Sequence, residues 1–198
     1  MSQDFVFVGE ALAFDFVNTE VVVRRKPFDL LQTADDLRDW WMSAASRYEH
    51  QTNHRVGVTD DILARAKHLR GTLRYLFDAL VEKRDVRQQD LAAVNDILRS
   101  GYSQLQTSKD GSLVVNQVTN SSNELLLAIV HSTMWLITKC DRERLRKCKN
   151  DHCVLMFLDT TKNSNRVWCT TDCMNRARSS AHYRQHTALT PTPKGEGL

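Results

Sequence analysis

Five cysteines carry the clearest chemical signal in this 198-residue sequence, and all of them lie in its last third. Four form two close pairs, with the spacing C-x4-C, fifteen intervening residues and then C-x3-C: Cys148, Cys153, Cys169 and Cys173. Structural zinc sites use two such ligand pairs, each formed by a local turn, and four thiolates close a tetrahedral shell. The spacing therefore predicts one structural Zn²⁺ ion, with no open position for a catalytic water.

Other interpretations of these cysteines remain open. They could be four buried free thiols, or they could ligate an iron–sulfur cluster. His152, next to Cys153, could replace one thiolate ligand. The remaining cysteine, Cys140, lies in an apolar segment and is expected in the hydrophobic core. Clustered pairs do not suggest a secreted disulfide framework, so we expect a cytoplasmic protein in which thiols stay reduced.

The sequence around the four cysteines predicts a small treble-clef-like fold. An apolar strand is expected at 154–158, followed by a polar turn at 159–165 and a returning strand at Val167 and Trp168. A helix follows, capped by Thr170 or Thr171, and its dipole favours the thiolates of the second pair at its start. Trp168 is expected to pack inside a module that has little else to bury.

Residues 1–140 are predicted to form a mostly helical α+β domain. Apolar residues recur at helical spacing in five segments: 10–20, 33–47, 59–83, 87–99 and 122–140. In the first of these, the alternation of Phe14 and Phe16 with polar Asp15 leaves a strand possible. Capping residues mark three helix starts: Thr33 with Asp36, Thr59, and Ser121 with Glu124. One β-hairpin is predicted over 102–118, with its turn at Asp110-Gly111. The last helix is apolar on nearly every side, so it is expected at the centre of the core.

Charge is distributed unevenly along the chain. Hydrophobic residues make up 41% and charged residues 26%, which is ordinary for a globular protein. Residues 1–141 hold 16 Lys and Arg against 19 Asp and Glu, whereas residues 142–198 hold 11 against 5. The basic C-terminal part is where a polyanion would bind. No apolar segment is long enough to span a membrane, and no signal peptide is expected at the N-terminus.

The cysteine-containing segment resembles a known family. The pattern C-x4-C-x3-F-x-D-T over 148–160, followed by N-R-x-W-C-x3-C-M-N-R over 165–176, is similar to the CGNR zinc finger. The chain departs from the Cys-Gly-Asn-Arg signature at Met174. Residues 9–19, GEALAFDFVNT, resemble the opening of the ABATE-type domain found upstream of this finger. The resemblance implies a stress-induced transcription regulator of bacteria, with a sensor domain at 1–140, a finger at 142–187 and a flexible tail at 188–198.

Basic residues of the finger are candidates for nucleic-acid binding. Three arginines share a broad face of the predicted helix, and two lysines flank the first ligand. Phosphate contacts from such a face would position DNA, with a neighbouring amide available for hydrogen bonds. The candidates are Lys147, Lys149, Asn175, Arg176, Arg178 and Arg184. The alternatives are a solvated helix face, lysines that only neutralise the thiolates, or a zinc-stabilised protein-interaction module without nucleic-acid binding.

Polar residues inside apolar segments are the remaining candidates. Asp15 and Asn18 could bind a small-molecule effector between the helices, or they could cap a helix or satisfy backbone groups. His131 is expected to be a hydrogen-bonded core histidine. Asp159 and Arg166, which flank the polar turn, are as well suited to pair with each other as to bind a ligand.

Catalytic motifs are absent from the sequence. It contains no nucleophile elbow, P-loop, GxGxxG or HExxH, and the signature of zinc deaminases is also missing. We therefore expect no enzyme activity. The partners expected are DNA, a small-molecule effector and, in a homodimer, a second copy of the chain.

Overall fold

The computed structural model describes residues 4–48, 57–119 and 123–188. Its α-helices are α1 Leu12–Val17, α2 Ala34–Arg47, α3 Asp60–Val81, α4 Ala92–Arg99, α5 Glu124–Lys139 and α6 Thr171–Ala188. Its strands are β1 Glu20–Val23, β2 Lys26–Asp29, β3 Gly101–Thr107, β4 Leu113–Thr119, β5 Leu145–Lys147 and β6 Met156–Leu158. The strands pair in three separate antiparallel hairpins, β1–β2, β3–β4 and β5–β6. The predicted fold class, mostly helical α+β followed by a small finger, is confirmed.

The predicted helix starts at Thr33 and Thr59 are confirmed. The Thr33 side chain accepts a hydrogen bond from the backbone N–H of Asp36, and the Asp36 carboxylate accepts one from the N–H of Thr33, which completes a capping box. The Thr59 hydroxyl accepts from the N–H of Ile62 in the same way. The third predicted start is wrong, because α5 begins at Glu124 with Asn123, and not Ser121, at its N-cap position. Ser121 itself and residues 189–198 of the predicted tail lie outside the described residues.

The first predicted helix is too long, because a second hairpin starts inside it. Helix α1 ends at Val17, and strand β1 begins at Glu20 and pairs with β2 from Glu20 opposite Asp29 to Val23 opposite Lys26. The two turn residues, Arg24 and Arg25, have φ values of 50° and 66°. This hairpin could not be predicted from the sequence, because two-residue turns of this kind usually contain Asn or Gly, and here both positions are Arg. The predicted hairpin β3–β4 is confirmed, with Gly111 at a φ of 84° in its turn.

Helix α1, and not α5, is the most deeply buried helix of the core. All six of its residues are buried, and it packs against α3, α5 and β6. The prediction that α5 lies at the centre of the core is wrong for its second half, where Met134, Trp135 and Ile137 are exposed. Along its first half α5 is buried from Leu125 to Val130.

Cys140 and His131, both expected in the core, are only partly buried. Cys140 is half-buried and packs against the core cluster, as expected. His131 is half-buried, and its partial burial lowers the pKa of the imidazole. Among the described residues, no helix combines the length and the apolar character needed to cross a bilayer.

Strand β6 pairs with β5, which precedes the first cysteine. The prediction that Val167 and Trp168 form the returning strand is wrong, because Met156 to Leu158 align with Lys147 to Leu145 instead. The segment instead contacts the turn between Cys148 and Cys153, here called the knuckle, through the hydrogen bond from the Lys149 N–H to the carbonyl of Val167 at 3.0 Å. Pairing with residues 145–147 brings the hairpin against the helical region.

The finger and the helical region share one core. Leu145, Met156 and Leu158 are buried in the same cluster as helices α1 to α5. The Asn18 side chain pairs with the backbone of Met156, donating to its carbonyl and accepting from its N–H, both at 2.8 Å. Arg74 of α3 donates to the carbonyl of Val154 at 2.6 Å. The division of the chain near residue 140 remains a prediction, and these contacts join the two regions.

Removing the Asn18 amide should therefore destabilise the whole chain. In Asn18→Ala, the N–H and the carbonyl of Met156 stay buried without their partners, at a cost of about 1–3 kcal/mol each. Urea denaturation followed by circular dichroism is expected to show a free energy of unfolding lower by roughly 2–6 kcal/mol. The exposed Asn163→Ala is the matched control and should change this free energy by less than about 0.5 kcal/mol. An equal effect of both substitutions would contradict this role of Asn18.

Candidate metal centre

The four cysteines of the two pairs converge on one point. Their sulfur atoms all lie within 4.8 Å of one another, and none of the four is in a disulfide. The Cys153 and Cys169 sulfur atoms are 3.7 Å apart. Zn–S bonds of about 2.3 Å in a tetrahedron place the sulfur atoms about 3.8 Å apart, so the cluster has the dimensions of a zinc site. The four predicted ligands thus form a site for one zinc ion.

Four thiolates in this cluster would need a cation to balance their charge. Hydrogen bonds from the neighbouring thiols lower the pKa of Cys148 to about 2, and the same contact with Cys148 raises the pKa of Cys153 to about 12. Thiolate formation at one cysteine therefore opposes it at the next. A divalent soft cation removes this conflict by coordinating all four thiolates. With the coordination shell filled by protein, the metal would serve folding and not catalysis.

The first ligand pair is shaped by Asn150, which sequence reasoning did not single out. Its side chain is buried, accepts a hydrogen bond from the N–H of His152 and donates to the carbonyl of Cys173, both at 3.0 Å. Its own carbonyl accepts from the N–H of Cys153 at 2.8 Å. Asn150 thus closes the turn between Cys148 and Cys153 and ties it to the second pair. An asparagine two residues after a ligand is a turn signal that could have identified it.

The second ligand pair lies at the start of α6. The Thr170 hydroxyl accepts from the N–H of Cys173 at 3.2 Å, which confirms Thr170 as the capping residue. Met174 donates its N–H to the carbonyl of Thr170 at 3.2 Å, as a residue in the first helical turn does. The position needs no positive φ, so Met174 fits the backbone there in place of the signature glycine.

Arg166 organises the loop before the second pair. Its guanidinium donates to the carbonyls of Trp168 at 3.2 Å and Cys169 at 2.6 Å and lies 4.3 Å from the centre of the Phe157 ring. Asp159 is fully buried and accepts from the N–H of Arg166 at 2.8 Å. The expected pairing of Asp159 with Arg166 therefore runs through the backbone and not between the charged groups.

Several predicted nucleic-acid-binding residues are already engaged within the fold. Lys147 forms an ion pair with Asp78 of α3, with 2.7 Å between Nζ and Oδ1. Arg176 donates to the Cys173 sulfur at 3.3 Å, so it stabilises a metal ligand. Asn175 is exposed on α6. Arg184 also belongs to α6, but its side chain lies outside the described residues.

The two other candidates, Lys149 and Arg178, line the same groove. This groove, of about 760 Å³, lies between the knuckle residues 149–152 and residues 177–181 of α6. Half-buried Trp168 packs, as expected, against the buried cluster that contains Leu155 and Phe157. It also forms part of the wall of the groove. Arg25 from the β1–β2 turn completes the lining, and sequence reasoning gave no sign of its presence there.

The two candidates for an effector site, Asp15 and Asn18, are fully buried. The Asp15 carboxylate accepts from the N–H of Gly9 and the hydroxyl of Tyr48, both at 2.6 Å. A Cβ atom at position 9 would lie 2.8 Å from an Asp15 oxygen, so the close approach requires glycine. Burial raises the pKa of Asp15 to about 6, against the opposing effect of these hydrogen bonds. The arrangement agrees with the alternative in which both residues satisfy backbone groups, while effector binding stays a prediction.

Comparison with known families agrees with both resemblances. The ABATE family, described as "putative stress-induced transcription regulator", matches residues 10–139. The CGNR zinc finger matches residues 144–186, which include all four converging cysteines. The two matches follow one another along the chain in the expected order. A search of curated proteins finds no match.

Substitution of a converging cysteine should abolish metal binding. We expect freshly purified, reduced protein to contain about one zinc per chain and Cys169→Ser to contain close to none, because three ligands hold structural zinc weakly. Cys140→Ser is the matched control, since its thiol lies outside the cluster, and it should keep one zinc. Elemental analysis of the three proteins decides the question. Zinc retention in Cys169→Ser, or zinc loss in Cys140→Ser, would contradict the assignment.

Burial of Asp15 should make stability fall as pH rises. A carboxyl group with a pKa of about 6 in the folded state binds its proton more tightly than in the unfolded chain, so its contribution is lost between about pH 4 and pH 6. In Asp15→Asn the amide oxygen can still accept from the Gly9 N–H, while the amide nitrogen donates to the Tyr48 oxygen in place of the bond that Asp15 accepts from it. The variant should therefore gain on the parent by about 3 kcal/mol across that range. Urea denaturation of both proteins at each pH measures the difference between their free energies of unfolding. Both proteins contain the same metal site, so zinc loss at low pH should affect them equally and leave this difference unchanged. A constant difference would contradict the shift.

Proposed function

This chain belongs to the ABATE family and carries a CGNR zinc finger, and on this basis we propose that it is a bacterial transcription regulator whose finger binds DNA. The observation that carries the proposal is the basic groove between the knuckle and α6. Lys149 and Arg178 line it from opposite sides, and both side chains are exposed. Neither side chain has a hydrogen-bond or ion-pair partner among the described residues.

The charge of the finger supports an anionic partner. Residues 142–198 carry a net charge of +6 when the cysteines are neutral. Four thiolates and one Zn²⁺ together contribute about −2, which leaves the segment at about +4. The rest of the chain has a net charge of −3, so a polyanion is attracted to the finger and repelled elsewhere.

The contacts inside the finger narrow the set of phosphate-binding residues. Arg144 and Arg146 donate to backbone carbonyls of the turn between β6 and α6, and Arg166 to carbonyls just before α6. Together with Lys147 and Arg176, they have structural partners that bound DNA would have to replace. We therefore assign the main phosphate contacts to Lys149 and Arg178. Such contacts position the protein on the duplex without reading its sequence.

The remaining parts of the proposal concern the helical region and the cell. Residues 1–140 would sense a small-molecule effector, and the protein would act in the cytoplasm, where its thiols remain reduced. Both matched families are of the regulator and zinc-finger type, so the proposal assigns no catalytic activity. A homodimer would present two fingers to one DNA duplex.

A second candidate function has its own supporting observation. Many finger cations are engaged in intramolecular contacts, as expected for a zinc-stabilised module that docks a protein. In that case the finger would serve as a rigid extension of the helical region. The two functions differ in the salt dependence of DNA binding.

Loss of either groove cation should weaken DNA binding independently of sequence. Lys149→Gln and Arg178→Gln each remove one phosphate contact, so the slope of log affinity against log salt should fall by about one unit in each. At about 0.1 M salt the affinity should fall roughly three- to tenfold. Fluorescence anisotropy with labelled genomic DNA fragments over a salt series measures both quantities.

The control for this experiment is Lys162→Gln. Lys162 is an exposed finger lysine that does not line the groove, and its removal changes the net charge by the same amount. It should lower the slope by much less than one unit, and all variants should retain one zinc. If Lys149→Gln, Arg178→Gln and the control bind alike, the groove is not the DNA contact. If the parent binds no DNA in a salt-dependent manner, the protein-interaction function replaces this proposal.

A further inference from the structure

The turn between β1 and β2 places two arginines in a conformation that arginine rarely adopts. Arg24 and Arg25 both have positive φ, at 50° and 66°, and together they form the two-residue connection from Val23 to Lys26. This geometry costs free energy for any residue with a Cβ atom, and asparagine or glycine usually occupies it. Neither arginine has a partner among the described residues that offsets this cost.

The two turn residues differ in their surroundings. Arg25 lines the groove beside Lys149 and Arg178, whereas Arg24 does not. Three cations from three separate segments thus surround one cleft: the hairpin of the helical region, the first knuckle and helix α6. Asp151 is the one carboxylate among the residues that line the groove, so the lining keeps a positive charge.

Contacts with the finger hold the hairpin in this position. Val21 of β1 packs against the cluster formed by Leu155, Phe157 and three of the cysteines. At the base of the hairpin, Arg70 forms a bidentate ion pair with Asp29, with both distances 2.7 Å. Arg70 is nearly fully buried, so this pair fixes the strand firmly on α3. The Arg25 guanidinium is therefore presented to the groove by an anchored element.

We propose that Arg25 completes, with Lys149 and Arg178, a composite site for the phosphodiester backbone of DNA, so that the helical region itself contacts the nucleic acid. This inference rests on the proposed DNA binding of the finger. The groove is open at the surface, and a phosphodiester has the charge and the acceptor oxygens that two guanidinium groups and an ammonium group recognise. It follows that a shift of the hairpin relative to the finger would change DNA affinity.

The pair Arg25→Asn and Arg24→Asn tests this inference. Both substitutions remove one positive charge, and asparagine tolerates positive φ better than arginine, so both proteins should unfold at the parent temperature or above it. Arg25→Asn should lower DNA affinity roughly three- to tenfold at about 0.1 M salt and lower the salt slope by about one unit. Arg24→Asn should change the affinity less than about twofold. Zinc content and thermal unfolding confirm that both variants are intact.

The possible outcomes separate this inference from the proposed function. If Lys149→Gln and Arg178→Gln weaken binding while Arg25→Asn equals the parent, or equals Arg24→Asn, the finger binds DNA alone and the inference is wrong. If the parent shows no salt-dependent binding, the proposed function itself fails. Competition with millimolar inorganic phosphate at constant ionic strength gives a further check. DNA should remain bound, and its release would assign the groove to a small free anion instead.

Discussion

Four sulfur atoms held within 4.8 Å of one another cannot all become thiolates unless a cation compensates for their charge. This electrostatic constraint governs the last quarter of the chain, because each ligand pair is shaped to meet the other. Asn150 closes the first turn and reaches the backbone of the second pair, and the Thr170 hydroxyl fixes the start of α6 at Cys173. Arg176 adds a hydrogen bond to the Cys173 sulfur. Four bonds from a metal ion to these thiolates would add to the stability that the finger gains from its buried side chains.

The finger is more than an appendage carried by a linker. Its short hairpin buries Leu145, Met156 and Leu158 in the core of the helical region, and the Asn18 amide satisfies the backbone of Met156. These contacts set the position of the metal centre relative to α1 and α3. An element of the helical region that moves would therefore move the finger or break buried contacts. In a regulator, contacts of this kind would allow binding at one region to change the affinity of the other region for its own ligand.

Arginine has two uses in this protein, and the structure separates them. In the finger, Arg144, Arg146 and Arg166 use their several N–H donors to bind backbone carbonyls of the segment between β6 and α6. Only cations without such duties are free to attract an external anion. A count of positive charges in the sequence therefore overstates the number of cations that are free to attract an anion, and the groove lined by Lys149 and Arg178 shows where two of them lie.

Interactions between residues close in the chain could be predicted from the sequence, and those between distant residues could not. Three features depend on residue types a few positions apart, which are typical of a particular local geometry: each of the two cysteine pairs, the caps at Thr33 and Thr59, and the Asp110-Gly111 turn. The β1–β2 hairpin carried no such signal, because Arg24 and Arg25 are unusual turn residues. From the sequence, strand β6 could pair either with Val167 and Trp168 or with residues 145–147. It pairs with residues 145–147 because Leu145 is buried in the core of the helical region. The sequence by itself determined the metal and its four cysteine ligands. Only the tertiary structure decided which cations have no partner within the fold, and that Arg25 lies beside Lys149 and Arg178 in one groove. Both depend on contacts between segments far apart in the chain.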